Sequence, residues 1–274
     1  MILQKAITTS ELDELLALLR HHYGYDFSNY ARASFQRQVL RCMEKSDIHT
    51  GPALISKLLN EKPFFDWFLE SVTVNVTEMF RDPGFYSDMR TRIIPTLASY
   101  PVIKIWHAGC ATGEEVYSMA ILLWEAGLLN RTRIYATDIN PTNLEKARQG
   151  IISLKAMKEY TVNYRMSGGT NDFSSYYTAR YNHAIIRSEL RKNIVFLQHN
   201  LVTDQVFNEF HLVCCRNVLI YFNHDLQNRV FRLFYDSLAP LGYLALGLKE
   251  SLLMTDIRPQ FDPIGSAKLF RRKT

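Results

Sequence analysis

"IKIWHAGCATGEEVYSMAI", residues 103–121, is the stretch on which the fold turns. The run 102–106, "VIKIW", reads as a short apolar strand, a turn carrying Gly109 and Gly113 follows, and "GEEVYSMAILLWEAG" (113–127) continues at helical spacing. Outward from it the same alternation recurs. "RIYAT" (133–137), "IVFLQ" (194–198), "HLVCC" (211–215) and "YLALG" (243–247) are further strands, and "NHDLQNRVFRLFYDSL" (223–238) is a second clear helix. Short apolar strands alternating with helices imply an α/β domain built on a parallel, doubly wound sheet. The polar, aromatic stretch 164–193, with its Gly168-Gly169 turn, interrupts the alternation and reads as an inserted small β unit.

Upstream, residues 1 to about 75 carry helix signals alone. In "TTSELDELLALLRHHYG" (8–24), Ser10 is placed to cap with Asp13 three residues on, Leu12, Leu15, Leu16 and Leu19 recur at helical spacing, and Gly24 ends the run. A second helix, "SNYARASFQRQVLRCMEK", starts at Ser28 and sets Arg37, Arg41 and Lys45 four residues apart on one face, with Arg32 nearby. That face is either simply solvated or a docking surface for an acidic partner. Pro52 and Pro63 open two more helices at favoured first-turn positions.

Composition bounds the rest. With 274 residues and 47% apolar content the chain can bury a core of one large domain or two modest ones. No apolar run is long enough to span a membrane, and the first residues reach a helix start before a signal-peptide core, so a cytoplasmic protein is expected. Cys42, Cys110, Cys214 and Cys215 lack metal-ligand spacing and read as reduced, buried thiols. The net charge of +5 admits nucleic acid, an anionic surface or an acidic protein as partner. The basic end "KLFRRKT" (268–274) reads as solvated.

The loop after the first strand is where an open α/β sheet binds its ligand. Its glycines do not match G-x-G-x-x-G, and Gly113 is followed by Glu114 rather than by Lys-Ser/Thr, so neither phosphate motif fits. Acids at a helix N-terminus favour the helix dipole, but they repel a pyrophosphate. Like unit charges at ~4 Å cost about 4 kcal/mol at an effective dielectric of about 20. A cationic ligand reverses the sign. S-adenosylmethionine has a sulfonium, an amino group and ribose hydroxyls, and Asp138, ending the second strand 29 residues after Gly109, stands where a ribose-binding acid is expected.

Four blocks, in order, resemble the CheR-type chemotaxis receptor glutamate methyltransferases. "SVTVNVTEMFRDPGFY" (71–86) resembles the family's N-V-T-x-F-F-R-D-P segment, and "IWHAGCATGEEVYS" (105–118) its W-S-A-G-C-S-T-G-E-E-P-Y-S. "ATDIN" (136–140) matches the second-strand acid, and "FHLVCCRNVLIYF" (210–222) resembles F-D-x-I-F-C-R-N-V-L-I-Y-F. His107, Val116, Met79 and "GLKE" (247–250) depart from Ser, Pro, the second Phe and G-H-S-E respectively, which leaves a divergent substrate open.

The resemblance implies an all-α N-terminal domain (1–75), an interdomain segment (76–99) and a Rossmann-like S-adenosylmethionine methyltransferase domain (100–274) with an inserted antiparallel β subdomain at about 164–193. Carried over, it implies cofactor contacts from Asn75, Thr77 and Arg81, from Gly109 and Gly113, from Glu115 to the methionine end and from Asp138 to the ribose. Asn200 and Leu201 would lie near the adenine, Arg216 and Asn217 would line the pocket, and Tyr221 would lie by the transferred methyl, with Arg81 and Tyr221 as the catalytic pair. The implied product is S-adenosylhomocysteine, without a metal, and the implied partner is the cytoplasmic helical domain of chemoreceptors, acted on by a monomer that takes no nucleic acid. A glutamate acceptor, with an ordinary pKa of about 4.3, is already ionised and needs no general base. Two alternatives are an RNA or amine methyltransferase and a non-catalytic cofactor-binding module. Against the first, "CRNVLIYF" (215–222) lacks the Asn/Asp-Pro-Pro-Tyr/Phe motif that holds a flipped base.

Overall fold

The computed structural model describes residues 7–73 and 77–274. The chain divides into two compact units, Met1–Asn75 with Ile220–Arg229, and Val76–Leu219 with Val230–Thr274.

The first unit is helical: α1 (Thr9–Tyr23), α2 (Arg32–Lys45), α3 (Gly51–Asn60) and α4 (Lys62–Val72). Their apolar faces meet in one core that includes Leu12, Leu15, Val39, Leu54 and Phe68. The cap of α1 differs from the expected Ser10. Thr8 Oγ1 accepts from the Glu11 N–H at 3.2 Å, and Glu11 Oε2 accepts from the Thr8 N–H at 2.7 Å. Both Ser10/Asp13 and Thr8/Glu11 have the spacing of a capping box, but the longer Glu side chain is the one that reaches back to the cap. α2 likewise begins at Arg32, not Ser28, whose N–H is held by Asp26 Oδ1 in a turn. Within this unit residues 220–229 pair with the segment before α2, through Ala31 N–H to Tyr221 O at 2.8 Å and a bridge between Tyr30 and Phe222.

The second unit carries the sheet. Its strands are β1 (Ile103–Ala108), β2 (Thr132–Asp138), β3 (Ile151–Ser153), β4 (Tyr177–Arg180), β5 (His183–Ile186), β6 (Ile194–Gln198), β7 (Phe210–Cys215), β8 (Leu238–Leu246), β9 (Phe261–Ile264) and β10 (Leu269–Arg272). The large sheet runs β6-β2-β1-β7-β8-β10-β9, and its first five strands are parallel. The Glu114–Glu125 helix packs eight buried residues, including Val116, Tyr117 and Met119. Among the described residues no helix is long and apolar enough to cross a membrane.

Two features lay beyond the sequence reading. The basic end is not a solvated tail: β10 pairs antiparallel with β8, and the Arg272 guanidinium lies 4.2 Å over the Tyr235 ring. A four-residue strand in which two positions are arginine has too little apolar alternation to announce itself. The small antiparallel sheet, in the order β3-β5-β4, also takes its strand β3 from upstream of the polar stretch 164–193.

A single carboxylate anchors that stretch. Glu125, at the end of its helix, accepts from the hydroxyls of Tyr176 (2.6 Å) and Tyr164 and from Arg90, with Asn171 Nδ2 at 3.4 Å. The Gly168-Gly169 turn wraps the same tyrosine, since a Cβ on Gly169 would lie 2.3 Å from the Tyr164 ring. Glu125→Ala strips the counter-charge from a largely buried Arg90 and the acceptor from two phenols. We expect it to lower stability by about 3 kcal/mol, read as a shift in urea midpoint.

Candidate active site

β1 and β2 run side by side, with Ala108 opposite Thr137, and end together at the glycine turn and Asp138. The turn is closed on the protein itself. The N–H groups of Gly109 and Cys110 both donate to Thr137 O, at 2.8 and 2.9 Å, and the Gly113 N–H donates to Cys110 O at 3.0 Å. Gly109 has φ +77°, and a Cβ there would lie 2.5 Å from Val218 Cγ2; Gly113 has φ +93°, with Ala147 Cβ 3.1 Å from where its own Cβ would be. The two glycines thus make room for protein side chains. With the N–H groups of Gly109, Cys110 and Gly113 spent on backbone carbonyls and that of Ala111 on Asp138, these four amides are not turned towards a phosphate.

Charge dominates what lies beyond the turn. Glu115, in the first helical turn, accepts from Arg216 Nη1 at 2.8 Å and lies 3.0 Å from His107 Nδ1. Arg216 follows β7, and its Nη2 also donates to Asp82 Oδ2 at 2.7 Å and to the Arg81 carbonyl at 3.1 Å, while the Phe85 ring lies 4.1 Å from its guanidinium. Its side chain is 1% exposed. Burial alone would raise the Glu115 carboxyl, but the Arg216 cation and His107 bring it below the usual carboxylate range, so it is ionised at neutral pH. Its neighbour Glu114 shifts the other way. Burial raises it, against a 2.6 Å bond from Thr112 Oγ1.

Asp138 accepts from the N–H groups of Ala111 and Asn140, both at 2.9 Å, and from Asn143 Nδ2 at 3.3 Å. Burial outweighs these bonds and raises its carboxyl. His107 Nε2 and Arg216 Nε are buried without a hydrogen-bond partner among the described residues, as expected of a site completed by a bound molecule or water. His107, Glu115 and Cys214 bring one donor atom each within 4.8 Å of one another, but Glu115 is already engaged by a guanidinium, and burial keeps the Cys214 thiol protonated.

Of the residues singled out in the sequence, the structure brings together Gly109, Gly113, Glu115, Asp138, Arg216 and, through its carbonyl, Arg81. Asn217 follows Arg216 in a left-handed conformation, φ +62°. Thr77 is half-buried just before Arg81. Asn200 spends its side-chain oxygen on the Val202 N–H, at 2.9 Å, to turn the chain after β6, and Leu201 is buried in that turn. Asn75 lies outside the described residues. Tyr221 belongs to the helical unit, and Arg37, Arg41 and Lys45 are exposed along α2. Sequence reasoning passed over Asp82, Asn143 and Glu250, and took His107 only as a structural residue departing from the family pattern. "FRDP" and "GLKE" held two of them in view, but only the folded chain shows that Asp82 and Glu250 face the turn after β7.

An ammonium or sulfonium fits beside an ionised Glu115, and hydroxyls fit an acid at the end of β2, as a methylated nucleoside cofactor requires. The α/β unit is a Rossmann-like S-adenosylmethionine methyltransferase domain. The family description "CheR methyltransferase, SAM binding domain" matches residues 75–268, and "CheR methyltransferase, all-alpha domain" matches residues 10–73. The Cher3 protein of Pseudomonas putida is 48% identical over 267 residues, covering 97% of this chain and 98% of its own. The "Chemotaxis protein methyltransferase" of Listeria innocua is 30% identical over 86% of this chain and 88% of its own, and the "Chemotaxis protein methyltransferase 1" of Vibrio cholerae is 31% identical over 72% and 71%. The chain belongs to the CheR methyltransferase family.

The Glu115 shift has a signature in stability. A carboxyl lowered on folding stabilises fully above its unfolded value, about 4.3, and loses that contribution as pH falls through its folded value. The stability advantage of wild type over Glu115→Gln is therefore expected to shrink as pH is lowered below about 4. Urea titrations of both proteins at stepped pH measure it.

Proposed function

We propose that the protein transfers the methyl group of S-adenosylmethionine to glutamate side chains of chemoreceptors, giving glutamyl methyl esters for adaptation in chemotaxis. The observation that carries this reading is the buried Glu115–Arg216 pair, which presents an ionised carboxylate at the switch point of the sheet. When bound, S-adenosylmethionine supplies an electrophilic methyl on sulfur and leaves as S-adenosylhomocysteine. Glu115 holds the methionine ammonium, and Arg216 keeps that carboxylate ionised and aimed. Asp138 takes the ribose hydroxyls, with Asn143 and two backbone amides fixing its orientation.

A glutamate acceptor arrives ionised, so the protein has no proton to remove; its task is alignment, worth about 7–11 kcal/mol in well-oriented systems. Arg81 has the planar fork that orients a carboxylate, and Tyr221 is the hydroxyl assigned to the methyl. Asn75, Thr77, Asn200, Leu201 and Asn217 complete the proposed cofactor contacts. The chemotaxis names of the Listeria and Vibrio relatives support a receptor substrate, and the exposed cations of α2 suit a helical partner bearing rows of Glu.

Methyl-labelled S-adenosylmethionine, incubated with receptor-bearing membranes and then treated with mild alkali, tests the bond type, because carboxyl esters release methanol whereas methylated amines and bases do not. We expect volatile label, reduced about 100-fold by Arg81→Ala. Label that survives alkali points instead to an amine or RNA acceptor. Reversing Arg37, Arg41 and Lys45 to Glu should raise the receptor KM and flatten its salt dependence while S-adenosylhomocysteine binding holds. Unchanged methylation at physiological salt removes α2 from the docking surface.

A further inference from the structure

Four residues beyond β8 the chain turns back inward. Leu248 and Lys249 are exposed, but Glu250 is 4% exposed and its carboxylate is crowded with backbone donors. Oε1 accepts from the N–H groups of Val218 and Leu219, both at 2.8 Å, and Oε2 accepts from Asn217 (3.1 Å) and Gly247 (2.6 Å). Three of these four donors belong to the turn after β7, the turn that begins at Arg216.

Asn217 sits at φ +62°, a left-handed conformation that Asn tolerates better than other residues with a Cβ, and the three successive N–H groups of Asn217, Val218 and Leu219 converge on the Glu250 carboxylate. Two glycines close the turn in. A Cβ on Gly247 would lie 2.8 Å from the Asn217 N and 2.9 Å from Glu250 Oε2, and on the other side Val218 occupies the space where Gly109 lacks a Cβ. A buried carboxylate is an expensive way to fill space, since desolvation disfavours its charged form. What it does that an apolar residue cannot is accept four converging N–H donors on its two oxygens.

We propose that Glu250 is a positioning residue of the cofactor site: by gathering the N–H groups of Asn217, Val218, Leu219 and Gly247, its carboxylate fixes the turn from which Arg216 reaches Glu115 and Asp82. The assignment rests on the reading of the Glu115–Arg216 pair as the cofactor's anchor. Glu250 touches neither substrate nor cofactor in this role; it acts through Arg216 and Asn217.

The test is Glu250→Gln in the full chain, with S-adenosylhomocysteine binding measured by calorimetry and the melting temperature measured with and without that ligand. Gln preserves size but turns an amide NH2 towards two N–H donors. Affinity is expected to fall roughly tenfold or more, with a matching rise in the KM for S-adenosylmethionine and a diminished ligand-induced rise in melting temperature. A purely structural residue would lower the melting temperature of the free protein and leave the affinity of the folded molecules unchanged, and that outcome overturns the proposal. Should the Gln variant fail to fold, Gly247→Ala decides: it keeps the carboxylate but drives a Cβ between it and Asn217, so wild-type affinity in that variant also overturns the proposal. Wild-type protein that binds no S-adenosylhomocysteine would instead sink the cofactor-site reading itself.

Discussion

A guanidinium as buried as that of Arg216 has to be matched by charge, and the α/β unit is organised to supply it. Glu115 comes from the helix after β1, Asp82 from the "FRDP" segment, and the Arg81 carbonyl from beside it. Breaking such a cluster from either side leaves an uncompensated charge out of water, at a cost of about 3–5 kcal/mol. Three segments distant in sequence are thereby held at the carboxyl end of the parallel strands, where open α/β sheets bind their ligands.

The glycine turn follows from the same constraint. In a phosphate site the turn's amides face the ligand; here those of Gly109, Cys110 and Gly113 are folded back on Thr137 and Cys110, and the space beside Gly109 is filled by Val218 of the arginine-bearing turn. The turn gives shape, and Glu115 and Asp138 give charge. Burial raises both carboxyls, and their partners decide the outcome. Glu115 has a cation against it and drops below the usual range, while Asp138 has only neutral donors and rises. One acid suits a cation and the other suits hydroxyls.

Much of this was legible in the residues. Strand, glycine turn and helix over 103–121, the alternation of apolar runs, and an acid at the end of the second strand all lie within short windows, where periodicity and side-chain chemistry act directly. The capping of α1 and the β9–β10 hairpin did not yield to the same reading. Two capping boxes compete two residues apart, and a strand ending in two arginines is stabilised by β8 and by the Tyr235 ring, both outside any local window.

By itself the sequence determined the α/β class of the C-terminal part, the helical character of the N-terminal part and the acidic, non-phosphate character of the loop after β1. All three follow from the types and spacing of neighbouring residues. Only the tertiary structure decided that Glu115 is paired with Arg216, 101 positions away, that Asp82 joins them, and that Glu250 closes on the turn after β7. Such pairings depend on which chain ends the sheet brings together, and the free energy that selects them is released only when distant segments leave water at the same place.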